Sequence, residues 1–405
     1  MSRIVLVVHA VYPGDPRVRR QSDALIGAGH EVDLLCLRGP GEPAEERDGP
    51  MRIVRLPVNR VFRGFAGHLA EYLAFAGLAA VRLAREHRRR RYDLVQVATV
   101  PDFLAFAAAP LRLGGVPLLL DLHEDMPAFF RDRFANPLLR PLHPLVSGTA
   151  RAAAATATEV ITVHEPLRQL SIARGVAPER IGVVMNSADT RLFDAVRHPR
   201  RPFRYDGELR LIHHSNLQRI YGLDIAVEAV ARIDPDDLPH RLDVYGDGPF
   251  RPEVEAAIAR TRTAGRVRLH GRVPIDELPG LLAASDIALV PSRPEPYLDL
   301  SLSTKLLEAA AMGVPTVASD LATFRAHFSG DAVRYVPGGD PAALAGAIRE
   351  LAADPAAANA LGEEAQRQAR RYAWEEQAAR YVAIVERLIA EAGLARRGSG
   401  ERRRL

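Results

Sequence analysis

The chain of 405 residues carries 54 Lys and Arg against 50 Asp and Glu, a net charge of +4, with 47% hydrophobic and 26% charged residues. That length exceeds one ordinary core and favours two domains of roughly 150–200 residues, while the composition excludes a largely disordered chain. A single cysteine, Cys36, excludes an internal disulfide and a cysteine-based zinc site.

In chain order, short apolar runs alternate with longer alanine-rich stretches. Seven predicted strands come first, at Arg3–His9, Glu31–Leu37, Met51–Pro57, Asp93–Thr99, Pro117–His123, Glu159–His164 and Ile181–Asn186. Six more follow at Leu209–Ser215, Arg241–Gly246, Arg266–Gly271, Asp286–Ser292, Pro315–Asp320 and Ala332–Pro337. The runs are nearly continuous in apolar character rather than alternating, the pattern of parallel strands covered by helices on both faces. Between the two series, "DAVRHPRRPFRYDGE" (Asp194–Glu208) is basic, carries prolines and has no hydrophobic period, so it reads as a linker. The expectation is two α/β domains, over 1–197 and 205–372, with a hinge near 195–207.

The opening "MSRIVLVVHA" has no signal-peptide pattern. The best apolar stretch, Tyr72–Val81, falls short of the about 18–20 residues of a membrane span and is flanked by Glu71 and Arg82. The expected location is cytoplasmic, with peripheral contact to the inner face of a membrane as the one variation. That contact would come from Val61–Arg91, an apolar helical stretch with a basic end, which reads either as a helix covering the N-terminal sheet or as a membrane-surface helix near a lipid-linked acceptor. The arginine runs in His87–Tyr92 and Arg396–Leu405 lack the aromatic or zinc-ligand spacing of a nucleic-acid binder and read as a helix end and a tail.

In doubly wound sheets ligands lie outside the carboxyl ends of the strands, so polar residues just after each strand are the candidates. After the first strand, Pro13, Gly14 and Pro16 force a loop and a helix is expected from Arg17 or Val18, with Arg17, Arg19 and Arg20 adding charge to a generic anion site. After the fifth, "DLHEDMP" puts His123, Glu124 and Asp125 where buried polar groups are costly unless they face a ligand, although a capped turn gives the same pattern. Asn186 and Ser187 follow the seventh strand in the same way. In the second half, a polar loop runs from His213 to Tyr221, and "DVYGDGPF" offers Gly246 and Gly248, a weak signal that a tight turn also explains. The helix in "SLSTKLLEAAAMGVP" is expected after Ser301 or Ser303. Thr304 and Lys305 then fall in its first turn, suited to a pyrophosphate, and Glu308 in the next, suited to two adjacent ribose hydroxyls.

Eight segments in order, "YPGDPRVRRQSDALIGAGHEVDLLC", "DLHEDMP", "ITVHEP", "VMNSADTRLF", "VYGDGP", "VRLHGRVPIDELPGLLAASDIALVPS", "KLLEAAAMGVPTVASD" and "YAWEEQAARY", carry a resemblance over the whole length. The chain resembles the family 4 retaining glycosyltransferases of the GT-B fold. The resemblance implies two Rossmann-like doubly wound parallel-sheet domains facing across a cleft, the first binding the acceptor and the second the nucleotide sugar, with a C-terminal helix at about 375–395 packing back on the first. The acceptor class it implies is a glycan, a lipid-linked sugar or a small molecule. The donor is a nucleotide-diphosphate sugar, most commonly of UDP, and neither a cofactor nor a metal is expected.

Glu308 corresponds to the second glutamate of the family's E-x7-E motif, which grips the ribose, with Leu306 on the same segment as a further donor contact. The first glutamate is replaced by Leu300, and Glu295 or Asp299 stands in for it, Glu295 preferred for its "EPY" context. The diphosphate-binding Arg and Lys of the family are replaced by Asn216 and Tyr221, with Arg219 and Lys305 as candidate substitutes. His123 would lie over the donor sugar as a catalytic group beside Glu295 and Asp299, while Asn216, Arg219, Gly246, Lys305, Leu306 and Glu308 would hold the donor. Gly14, Arg17, Glu124 and Asn186 would face the remaining substrate. These losses also allow a catalytically silent protein that binds a nucleotide sugar or supports a partner enzyme.

Overall fold

The computed structural model describes residues 1–58, 64–134, 136–296 and 298–402. The chain divides into two compact units, Met1–Asn186 together with Gln377–Leu405, and Ser187–Glu376. Each is built on one sheet.

In the first unit the strands are β1 (Arg3–Val11), β2 (Glu31–Leu37), β3 (Glu45–Asp48), β4 (Met51–Leu56), β5 (Leu94–Ala98), β6 (Leu118–Leu122), β7 (Glu159–Thr162) and β8 (Ile181–Val183). They lie in the order β3-β4-β2-β1-β5-β6-β7-β8, all parallel except β3, which pairs antiparallel with β4. The second unit contains β9 (Leu209–His214), β10 (His240–Tyr245), β11 (Val267–Gly271), β12 (Ile287–Val290), β13 (Thr316–Ser319) and β14 (Arg334–Val336). Their order is β11-β10-β9-β12-β13-β14, wholly parallel.

All thirteen predicted strands form, most of them within two residues of the expected bounds. Fully buried runs such as Leu94–Ala98 and Ile287–Val290 explain why they read as continuous apolar segments. Only β3 is unanticipated. Its sequence, Glu-Glu-Arg-Asp, has no apolar face, and it pairs with β4 across a two-residue turn in which Gly49 adopts φ +58°. Its glutamates answer the arginines of its neighbours, Glu45 to Arg52 at 2.7 Å and Glu46 to Arg55 at 3.0 Å.

Crossover helices start where sequence chemistry directs. Asp340 caps the helix Pro341–Ala353 through Ala342 N and Ala343 N, with proline at the first helical position. The core of the first unit gathers Val5, Val7, Leu35, Val95, Val97, Leu118 and Leu120 under Phe75 and Leu83 of the helix Gly64–Arg90. In the second, Leu209, Leu211, Leu242, Val244, Ile287 and Leu289 pack on Ala226, Val230, Ile348 and Leu351.

Two expectations about organisation are revised. Residues 187–197 belong to the second unit, because Ala188 and Phe193 join its apolar cluster. The basic stretch Asp194–Glu208 is also anchored there. Arg201 and the Arg204 and Arg210 amides converge on the fully buried Asp286 carboxylate at 2.7, 3.0 and 2.7 Å, and Arg200 donates to Gly313 O at 2.7 Å. The helix Gly64–Arg90 lies within the helical stretch expected at Val61–Arg91, and its apolar window is longer than Tyr72–Val81. By length and composition it is sufficient to cross a membrane, with mean hydropathy 1.3 over its most apolar window and 17% of that window buried. Glu71, Phe75, Ala79, Leu83 and Glu86 are buried, while Leu69, Leu73, Leu78 and Val81 are exposed.

Candidate active site

Each sheet has one point where the chain reverses its direction of growth, between β1 and β5 in the first and between β9 and β12 in the second. Loops leaving adjacent strand ends there diverge and leave a crevice for a ligand.

In the second unit the crevice is formed largely by backbone. β9 ends at His214, and the loop that follows is pressed against the loop after β10. A Cβ on Gly246, whose φ is +133°, would lie 1.8 Å from Ser215 O, and one on Gly248 would lie 2.4 Å from Leu217 O. Gly222, with φ +64°, approaches Pro291 O as closely, at 2.0 Å from its would-be Cβ. The helix Thr304–Ala311 opens into this region with Ser303 at its N-cap, where the side chain makes no capping bond. One turn in, Glu308 Oε2 accepts from His214 Nε2 at 2.7 Å, and His214 is itself buried. That bond puts the proton on Nε2 of His214. It leaves Glu308 Oε1 without a protein partner among the described residues.

Lys305, on the same helix, is buried with its Nζ 3.6 Å from the centroid of the Tyr221 ring. Burial lowers its pKa to about 8, with Glu308 opposing the shift. Next to it His213 is fully buried, held by Leu289 O at its Nδ1 and by Ser215 Oγ at its Nε2, both at 2.9 Å. Burial, then the Lys305 charge, push its pKa down to about 3, so it is neutral. Arg219 is exposed and reaches Glu295 at 3.2 Å.

In the first unit, the corresponding loops hold side-chain networks. Asp15 caps the helix Pro16–Gly27 and accepts from Arg17 N at 3.1 Å. It also takes the Arg17 guanidinium at 2.9 and 2.6 Å. Burial would raise this carboxyl, but Arg17 outweighs it and holds the pKa at about 2. At the end of β6, His123 Nε2 lies 3.0 Å from Asp121 Oδ2, both side chains being buried. Asp125 caps the helix Met126–Arg133 through Ala128 N and binds Arg174 at 3.1 Å. Glu124 is half-buried and, with Asp102, Asp125 and Arg174, lines a small cavity of about 40 Å³.

Two family models match the chain in tandem, "Glycosyltransferase Family 4" over residues 17–192 and "Glycosyl transferases group 1" over 208–354. The chain belongs to glycosyltransferase family 4. This glycosyltransferase is 29% identical over 314 residues to a 2-deoxystreptamine glucosyltransferase of Streptomyces kanamyceticus, covering 75% of this chain and 79% of the relative. Among solved structures it is similar to sucrose-phosphate synthase of Thermosynechococcus elongatus, with a TM-score of 0.78, 20% identity and coverage of 96% and 100%. Anabaena HepE in complex with UDP-glucose matches with a TM-score of 0.69, 17% identity and coverage of 95% and 100%. These neighbours establish the GT-B fold.

Within the glycosyltransferase, the predicted donor residues fall into three groups. Glu308, Lys305, Arg219, Glu295, Gly246 and the exposed Asn216 all stand at the crevice of the second unit. Glu295 rather than Asp299 meets Arg219. The Asp299 side chain is exposed, while its amide donates to Glu295 O at 3.3 Å and its carbonyl accepts from Thr323. The aromatic residue of "EPY", Tyr297, lies outside the described residues. Leu306 is corrected outright: its side chain is fully buried in the apolar cluster with Phe324 and Phe328, and its amide donates to Ser303 O at 3.2 Å.

Around β1, the expected anion site is revised as well. The helix starts at Pro16, one residue earlier than predicted, and Asp15 fills the position an anion would take, with Arg17 paired to it. Gly14 makes a tight turn, its amide donating to Val11 O at 3.0 Å. Asn186 accepts from Arg20, a bond that fixes both side chains within the first unit. Sequence reasoning missed His214, whose signal was two histidines and a serine at a buried strand end. It also missed Asp121, concealed inside an apolar strand.

Proposed function

We propose that this glycosyltransferase moves a sugar from a nucleoside-diphosphate sugar, with UDP as the nucleotide, and retains the anomeric configuration. The observation that carries the reading is Glu308, a carboxylate held by His214 at 2.7 Å at the strand-end crevice, with lone pairs left for two ribose hydroxyls. Lys305 and Arg219 supply positive charge near the leaving diphosphate, together with the open helix start. Neutralising charge as it develops on the leaving group is the largest single contribution available to such a transfer. Anabaena HepE, solved with UDP-glucose, supports the choice of base.

In this reading, His123 lies over the donor sugar and Glu295, with Asp299 as its alternative, orients the sugar hydroxyls. The acceptor oxygen forms its bond to the anomeric carbon on the face from which the diphosphate oxygen departs, and that oxygen takes the acceptor proton. No metal or cofactor is needed. The acceptor is a glycan, a lipid-linked sugar or a small molecule, and the name of the Streptomyces relative favours a small polyhydroxylated one. The protein works in the cytoplasm. The exposed Leu69, Leu73, Leu78 and Val81, with Arg88 and Arg89 at the end of the same helix, support contact with an anionic membrane surface. Failure to sediment with anionic vesicles at low salt removes that contact from the proposal.

Thermal unfolding with a panel of nucleoside diphosphates and their sugars tests the donor reading. Ligand at about 100 times its Kd stabilises the fold by about 2.7 kcal/mol. The expected result is a rise in Tm with uridine nucleotides that Glu308→Ala abolishes. A rise that persists in Glu308→Ala overturns the assigned ribose contact.

A further inference from the structure

We propose that Tyr381, Gln96 and Gln21 are positioning residues that act through Asp121 to fix His123 with its Nε2 protonated and its Nδ1 open to substrate. The functional consequence rests on the role given to His123 above; the positioning itself does not.

Asp121 Oδ2 receives three donors: Gln21 Nε2 at 2.7 Å, His123 Nε2 at 3.0 Å and Gln96 Nε2 at 3.2 Å. Gln21, Gln96 and His123 all direct nitrogen donors at the same oxygen, a geometry that favours the ionised carboxylate. An ionised carboxylate only accepts, so each group facing it must present N–H. For His123 that requires the proton on Nε2.

The amides are oriented by the same logic. Gln96 Nε2 also donates to Gln21 Oε1 at 2.9 Å, and Gln96 Oε1 accepts from Tyr381 O–H at 2.5 Å. Were the Gln96 amide reversed, its oxygen would face Asp121 Oδ2 and Gln21 Oε1, two acceptors. The Tyr381 hydroxyl, on a side chain with no exposed surface, favours the orientation that binds. Burial first, and the Asp121 charge second, keep this phenol protonated by raising its pKa well above 10. The chain of bonds is thus directional from the helix Trp374–Arg402 to the ring of His123.

At the far end, His123 Nδ1 is buried and has no hydrogen-bond partner among the described residues. The His123 amide is also held, by Thr99 Oγ1 at 3.3 Å. A ring fixed at its backbone and at Nε2, with an unsatisfied acceptor at Nδ1, is set to receive one hydroxyl proton from a ligand. A network this buried is costly unless satisfied, and among the described residues His123 Nδ1 is an open position in it.

The test uses full-length protein with 15N-labelled histidine, the imidazole signals of His123 being assigned by their loss in His123→Gln. The ligand-free protein is expected to have a single Nε2–H tautomer. Asp121→Asn, whose amide can offer N–H to Nε2, should move the proton to Nδ1 and lower kcat with UDP-glucose by about 100-fold or more. Tyr381→Phe and Gln21→Met should each give mixed tautomers, lowering kcat more than they change KM. Unchanged imidazole signals in all three variants overturn the proposal and leave Tyr381 as a helix anchor only. If Tyr381→Phe does not fold, Gln21→Met, which leaves the Tyr381–Gln96 bond in place, decides it. Tautomer shifts as expected, with His123→Gln fully active, sustain the positioning and overturn the role of His123 in transfer.

Discussion

The two switch points occupy the same place in two similar sheets, yet they are built from different materials. Around β9 and β12 the crevice is shaped by backbone touching backbone, at Gly246 against Ser215 and at Gly222 against Pro291. Around β1 and β5 it is shaped by side chains, with Asp15 on Arg17 after β1, and Gln96 of β5 among the three donors on Asp121. The difference matches the ligands proposed. A nucleotide offers a fixed ribose and diphosphate that fixed backbone can match, whereas a sugar ring needs a group whose orientation and protonation are specified. The sheet determines where a site is; the loops determine whether it is held by shape or by hydrogen bonds.

Glycine substitution is the most severe way to break this comparison. Gly246→Ala must leave φ +133° and relieve a 1.8 Å approach to Ser215 O, so it should lower stability by about 3 kcal/mol or more. Gly14→Ala, at 3.1 Å from Val11 O, should cost less than about 1 kcal/mol. Urea denaturation of both variants checks the pair, and equal losses would dissolve the distinction.

Titration sharpens it further. Lys305 has its folded pKa lowered from 10.5 to about 8, so the native state releases this proton before the unfolded chain does. Stability should rise with pH between about 8 and 10.5 on account of this group, and Lys305→Met should flatten that rise. The buried group of the first unit behaves oppositely. Burial, opposed by Arg174, pushes Asp102 from 3.8 up to about 7, and its Oδ1 has no partner among the described residues. Its contribution is greatest below pH 3.8 and is lost as pH rises to about 7, so Asp102→Asn should remove that decline. Denaturation midpoints across pH measure both slopes, and the Asp102 effect should be at least as large as the Lys305 effect, because its pKa moves from 3.8 to about 7 while that of Lys305 moves from 10.5 to about 8.

Most of the architecture was legible because parallel strands buried on both faces leave continuous apolar runs. β3 was not, since an edge strand of four charged residues carries no such run. Within the site, Glu308 and Lys305 could be found because helix periodicity fixes their relation to the helix start. Leu306 was misread for the same reason in reverse: adjacency in sequence to a functional residue turns a helical side chain by about 100°, here into the core. The partners His214 and Asp121 lie 94 residues from Glu308 and 100 from Gln21, and pairing over such distances is specified only by the sheet. Arg17 shows the limit of counting charges, for an arginine two residues after an aspartate was already neutralised by it.

The chain leaves the first unit at Asn186 and returns to it only at Gln377. During synthesis the first unit is therefore incomplete while the whole second unit is being made. At about 5–20 residues per second, roughly 13–50 s separate the emergence of His123 from that of Tyr381. Until then Gln96 lacks the hydroxyl that orients it. A chain halted before Tyr381 should hold an unlocked histidine, so that competence waits for the helix Trp374–Arg402.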